Sequence, residues 1–344
     1  MTQRNKDAIA WLRFPLIFFV ILLHAYSVVQ IPGEHAVFFK TAYPLSLWIG
    51  ETGVPGFFFI SGFLFFLSKK TYGEKLRSRF HTLFVPYIIW NTLLLAAYVA
   101  AYALGHPQDI NGRNMADYGW TDYIRLFWDR GTFDNGNFVP LLCPYWYLRN
   151  LLLLSVVSPL IFVLVRYVRE LFLLGMAVWW MFTPHNAFIQ QSVFFFSLGA
   201  YFSIHERVPL IMFSQKKKLA IGLCIVFGLA DIITHVAFPT PFNLQIHRMA
   251  LIANIPALFL LADYCVRHGI QSPLLTGAAF IVFSIHYPLI VMMRKGCAHY
   301  FAQANDAVQF ALYLGCVVAV TALSLLFYQL LPHSLRNLLS GNRS

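Results

Sequence analysis

The chain has 344 residues, of which 59% are hydrophobic and only 11% charged, with a formal net charge of +11. A soluble domain carries about 25% charged residues, so the composition excludes a soluble globular protein and indicates a single polytopic membrane domain over 1–344. The positive charge does not point to nucleic acid, because the basic residues sit in short segments between apolar runs, where the positive-inside rule places them.

Apolar runs of spanning length predict ten transmembrane helices at 8–30, 45–68, 83–104, 141–165, 170–184, 187–203, 218–237, 247–265, 273–293 and 308–331. The first is read as an uncleaved span, since its apolar run contains Arg13 and continues past His24 without a small-residue cleavage site. Arg13 and His24 are eleven residues apart. At about 100° and ~1.5 Å per residue they share one helix face and stand about 16 Å apart along the axis. Two readings fit: a snorkelling arginine with a histidine hydrogen-bonded inside the bundle, or a functional pair, because ionisable groups at bilayer depth are costly.

The second span opens with IGETGVPGFFFISGFLFF. Glu51 falls near the depth of His24, either tuning it as a general base or simply exposed at a helix start. Gly53, Pro55, Gly56 and Gly62 predict a bent or closely packed helix, and Ser61 a hydrogen bond within the bundle. The basic loop that follows, KKTYGEKLRSRFHTLFVPY, suits anionic lipid headgroups or the phosphates of a ligand.

The polar segment at about 105–140 combines Asp109, Asp117, Asp122, Asp129 and Asp134 with Trp120, Tyr123, Phe127, Trp128 and Phe133. It fits sugar binding, or an interfacial amphipathic helix over 117–130. In the fourth span Trp146 and Tyr147 fit an aromatic belt, whereas Arg149 needs an acidic partner, for which Glu51 is a candidate. The fifth and sixth spans are short and flank Thr183-Pro184-His185-Asn186. His286 lies near the middle of the ninth span and is structural or catalytic, while Asp231 and Asp263 fall near helix ends and carry little weight.

Five cysteines without CxxC spacing and twelve histidines without HExxH suggest neither a disulfide framework nor a metal site. With the amino terminus in the cytoplasm, sixteen basic residues, Arg343 included, fall on the cytoplasmic side and eight on the other. That bias predicts both termini cytoplasmic and a loop at 105–140 facing outward.

These residues together resemble the integral-membrane acyltransferase-3 family, whose bacterial members O-acylate surface sugars. The resemblance covers nearly the whole chain and rests on LRFPLIFFVILLH, VPGFFFISGFLFF, RSRFHTLFVPYIIW, PYWYLRNLLLLSVVSPLI, FFFSLGAYF and SIHYPL in order. It implies a multi-pass protein of the bacterial inner membrane that acetylates exopolysaccharides or lipid-linked oligosaccharides, with acetyl-CoA or another acyl-CoA as donor substrate and no tightly bound cofactor. His24 then matches the catalytic base and Arg13 its partner, with Glu51 beside them. Arg77 and Arg79 match the positions associated with acyl-CoA, although His81 and Thr82 stand where some members have an arginine. Arg149, Trp146 and His286 are candidates for acceptor binding. Direct attack by the sugar hydroxyl and a route through an acylated His24 fit the same residues. A transporter or flippase of lipid-linked sugars is the alternative, and it predicts pseudo-symmetric halves that the sequence does not show.

Overall fold

The computed structural model describes residues 1–29, 36–132, 138–184 and 187–341. His185, Asn186, Phe133, Asp134 and Arg343 lie outside them. The described residues form an all-α membrane protein, with one two-residue antiparallel hairpin of β1 (Asp109–Ile110) and β2 (Arg113–Asn114).

Helix α1 (Gln3–Ala25) starts where Thr2 accepts the Asn5 N–H at 3.4 Å. Helix α2 (Ala36–Tyr43) runs through a π-helical segment, Pro44–Ile49, past Glu51 into a turn at Thr52 and then α3 (Gly53–Leu67). Glycines let α3 lie antiparallel against α1. A Cβ at Gly50 would press on the Leu23 nitrogen at 3.0 Å, and one at Gly53 on the Leu16 carbonyl oxygen at 2.6 Å.

The same device joins α3 to α10 (Phe188–Ile204). A Cβ on Gly62 would strike the Phe196 carbonyl, and one on Gly199 would strike that of Phe59. Small residues let helix backbones approach closely inside a membrane, as the glycine pattern of the second span predicts. Backbone cannot yield as a flexible side chain does. Gly199→Ala is therefore expected to cost about 3 kcal/mol, the upper end for overpacking. The measurement is the loss of monodisperse protein on heating in detergent, and an unchanged midpoint would contradict this crossing.

The basic loop is largely helical. Thr71 and Glu74 form a capping box that starts α4 (Tyr72–Arg79), which continues through a π segment, Phe80–Phe84, into α5 (Val85–Ala103). The expected fourth span is broken: α7 (Trp146–Val156) and α8 (Ser158–Val163) belong to stretches bent by 68°. Pro159 cannot continue the ladder, and the Ser155 and Ser158 hydroxyls donate to the Leu151 and Ser155 carbonyls, both at 2.8 Å.

After α9 (Glu170–Phe182) and α10 come α11 (Pro209–Gln215), α12 (Lys217–Val236), α13 (Asn243–Arg267), α14 (Pro273–Tyr300), α15 (Asp306–Leu330) and α16 (His333–Ser340). Among the described residues seven stretches are long and apolar enough to cross a membrane, or eight with the bent pair, while α9 and α10 are shorter apolar helices. The chain is a multi-pass membrane protein. Both described chain ends lie at the end of the bundle that carries α4. Arg4 pairs with Asp263 at the close of α13, and Gly341 packs against Thr82.

The polar segment 105–140 is folded. Its helix, α6, covers Trp120–Arg125 rather than 117–130. Ile110, Met115, Leu126 and Leu141 form a small core against Leu94, Leu95 and Tyr98 of α5. Arg113 pairs with Asp122 at 2.9 Å, and Asp129 accepts from the Thr132 N–H and from Arg125, both at 2.8 Å. The Arg113 hydrogen bond holds the Asp122 carboxyl below its ordinary range. Burial works to raise that of Asp129, but the Thr132 and Arg125 bonds outweigh it.

Carboxylates lowered by folding stabilise the fold above their unfolded value of about 3.9, and that contribution is lost as the pH falls through the lower folded value. Hydrogen exchange over 115–126 should thus stay slow at about pH 5 and quicken below about pH 4. Unchanged protection would show that these pairs do not hold the segment.

Candidate active site

A cavity of about 530 Å³ opens at the α4 end of the bundle. Arg13, Lys70, Lys75 and Arg79 line it, with no carboxylate among the described residues of its walls. Lys75 and Arg79 stand over the Phe65 ring at 5.1 and 5.5 Å. The cap at Thr71 sets the start of α4 and so turns Lys75 and Arg79 inward, while Arg77 is exposed and does not line the cavity. Four cations without an opposing carboxylate suit a ligand that carries several phosphates.

Further in, the cavity is walled by Ser61, Tyr147 and Phe283. The Ser61 and Tyr147 hydroxyls are 3.1 Å apart, the bundle hydrogen bond that the sequence predicts for Ser61. His24 is not part of the wall. It lies one layer beyond, where the Phe283 ring packs on His286 at 5.8 Å and His286 on His24 at 5.5 Å. Tyr287 packs edge-on to His24 at 5.2 Å, and the Arg130 guanidinium lies against Tyr287 and Cys143.

His286 is fully buried. Its Nδ1 is 2.7 Å from the Phe283 carbonyl oxygen, an acceptor, so Nδ1 carries the proton and Nε2, which has no partner among the described residues, is a bare acceptor. Arg13 and His24 are thus separate stations on α1, one in the cavity and one past its inner wall.

Other sequence expectations find different partners. Glu51 makes no hydrogen bond to His24; its Oε2 lies 3.0 Å from His247 Nε2. Nor does it pair with Arg149, which donates to the Trp128 carbonyl at 2.9 Å and to Asn150 Oδ1 at 3.0 Å, with Phe138 stacked at 4.1 Å. Arg149 fastens the polar segment to α7. Trp146 is buried, stacked on Phe188 at 4.0 Å, and so belongs to the core rather than to an interfacial belt. Asp231 and Asp263 are both fully buried and ion-paired, which overturns the small weight given to them.

The sequence model of the acyltransferase domain family matches residues 6–329. The chain belongs to this acyltransferase family. The acyltransferase is also 29% identical over 283 residues to the succinoglycan biosynthesis protein ExoH of Rhizobium meliloti (strain 1021), covering 74% of this chain and 72% of that one. No solved structure matches it.

Two groups in this acyltransferase carry more than its sequence indicates. Tyr147, which the sequence places in an aromatic belt beside Trp146, lines the cavity. His247 and Asp231 had a visible signal, since Asp231 and His235 are ionisable groups four apart within one apolar span.

Proposed function

We propose that this acyltransferase moves an acyl group, acetyl foremost, from cytoplasmic acyl-CoA to a hydroxyl of a cell-surface or lipid-linked glycan, with His24 as general base. The observation that carries the reading is the line from the basic cavity through Phe283 and His286 to His24. Arg13, Lys70, Lys75 and Arg79 would receive the phosphates, and the pantetheine arm would run inward past Ser61 and Tyr147. The glycan would approach from the other end, beneath the segment that Arg149 holds down.

The acceptor hydroxyl oxygen attacks the thioester carbonyl while His24 takes its proton. The C–S bond then breaks and the thiolate takes that proton from His24, completing CoA and restoring the neutral base. Holding both reactants in one site lowers the entropic cost of their meeting.

The same reading places ten spans in the bacterial inner membrane with both termini cytoplasmic. Supporting it are the bias of basic residues and the location of both described chain ends beside the basic cavity. The glycan acceptor draws its support from the name of the relative in succinoglycan biosynthesis. As a test, inverted membrane vesicles given acetyl-CoA labelled in the acetyl group should pass label to a lipid-extractable or polysaccharide fraction. Label left wholly on CoA or free acetate would refute the reading.

A further inference from the structure

A second polar assembly lies within the apolar bundle, outside the wall of the donor cavity. Glu51 Oε2 is 3.0 Å from His247 Nε2. His247 Nδ1 is 2.9 Å from Asp231 Oδ2. Asp231 Oδ1 in turn meets His235 Nδ1 at 3.0 Å and accepts from the Tyr43 hydroxyl at 3.1 Å. Five side chains from α2, the segment leading into α3, α12 and α13 are thereby joined, although Glu51 and His247 are 196 positions apart in sequence. Among the described residues these groups do not converge as a metal site; they bond to one another.

The chain is buried at one end and open at the other. The Asp231 side chain is fully buried and that of His247 only 10% exposed, whereas Glu51 is 35% exposed. Asp231 is held by three donors and is therefore fixed. His247 is pinned to it through Nδ1, which fixes the ring plane and the direction of Nε2. Glu51 is held by that nitrogen through one carboxylate oxygen, and the close packing of Gly50 on the Leu23 nitrogen sets the next residue along, Glu51, at the level of His24. With both carboxylates ionised, both nitrogens of His247 must donate. A charged group in this setting is costly unless it is paired, so five polar side chains would be an expensive way merely to join three helices.

We propose that His247 and Asp231 are positioning residues for acyl transfer, fixing the Glu51 carboxylate beside His24, where it favours the imidazolium that forms as the acceptor hydroxyl is deprotonated. None of the three touches the donor cavity. Their influence falls on the chemical step, through the field of a carboxylate set in place before the reaction. The inference rests on His24 as the base.

A double-mutant cycle in the vesicle assay tests it. Glu51→Gln and His247→Gln should each lower kcat about tenfold with the KM for acyl-CoA unchanged. The double variant should be no slower than either single one, because His247 acts through Glu51. Asp231→Asn, which keeps the shape of the side chain, serves as a second probe, and it too should lower kcat without changing the donor KM. Each variant is compared at equal amounts of monodisperse protein. Effects that multiply in the double variant, or an unaltered kcat in His247→Gln and Asp231→Asn, would overturn the inference while leaving the base assignment standing if His24→Ala is inactive. Full transfer by His24→Ala would instead remove the reading beneath it.

Discussion

Replacing His24 with alanine is expected to lower acyl transfer about a thousandfold, within the range for loss of a general base, while acyl-CoA still binds. The split follows from the geometry. His24 lies behind Phe283 and His286, outside the wall of the donor cavity, so its removal leaves Arg13, Lys75 and Arg79 in place. Among the described residues its ring makes contacts with His286 and Tyr287 rather than hydrogen bonds that hold the fold. The variant should therefore reach the membrane in normal amounts. Equilibrium binding of acyl-CoA alongside the transfer rate checks both halves. Weakened donor binding with a normal rate per bound donor would place His24 in the donor site instead.

The second large effect is expected at the other station. Each charge-assisted hydrogen bond to a phosphate contributes about 2 kcal/mol, close to thirtyfold in affinity. Arg79→Ala should thus raise the Kd for acyl-CoA about thirtyfold, and Lys75→Ala somewhat less, because a lysine offers a point charge rather than a fork. Arg77→Ala should change it little, since that side chain is exposed and faces away from the cavity. The contrast between Arg77 and Arg79 is the informative part. Binding isotherms for the three variants read it directly, and equal losses at both arginines would show that the basic helix acts only as a diffuse positive surface. High salt should weaken wild-type binding for the same electrostatic reason.

The sequence carried much of this architecture, for reasons that are visible in it. Arg13 stood out because an arginine inside an apolar run has few tolerable surroundings, and the structure gives it a cavity. Gly62 announced a close crossing because little else places a glycine inside a phenylalanine-rich helix. The break at Val157 was less legible: Pro159 signals it, but the length and apolarity of 141–165 read as one continuous span.

Partners were the least legible of all. Glu51 could be set at the depth of His24, yet nothing local says which side chain from another helix will meet it. Its bond to His247 is made by the packing of α13, and the expected pairing with Arg149 gave way to a carbonyl of the folded polar segment. The choice between Arg77 and Arg79 depended on the face that α4 turns inward, which the cap at Thr71 sets.

The central claim is that a donor bound at the basic end is carried to acceptor chemistry at His24, and sidedness tests it most directly. Sealed membrane vesicles of both orientations, holding the same amount of protein and endogenous glycan, would be given labelled acyl-CoA from outside. Inverted vesicles, which present the cytoplasmic face, should label the glycan fraction, and right-side-out vesicles should do so only after permeabilisation. Labelling by intact right-side-out vesicles at the same rate would contradict the placement of the donor site.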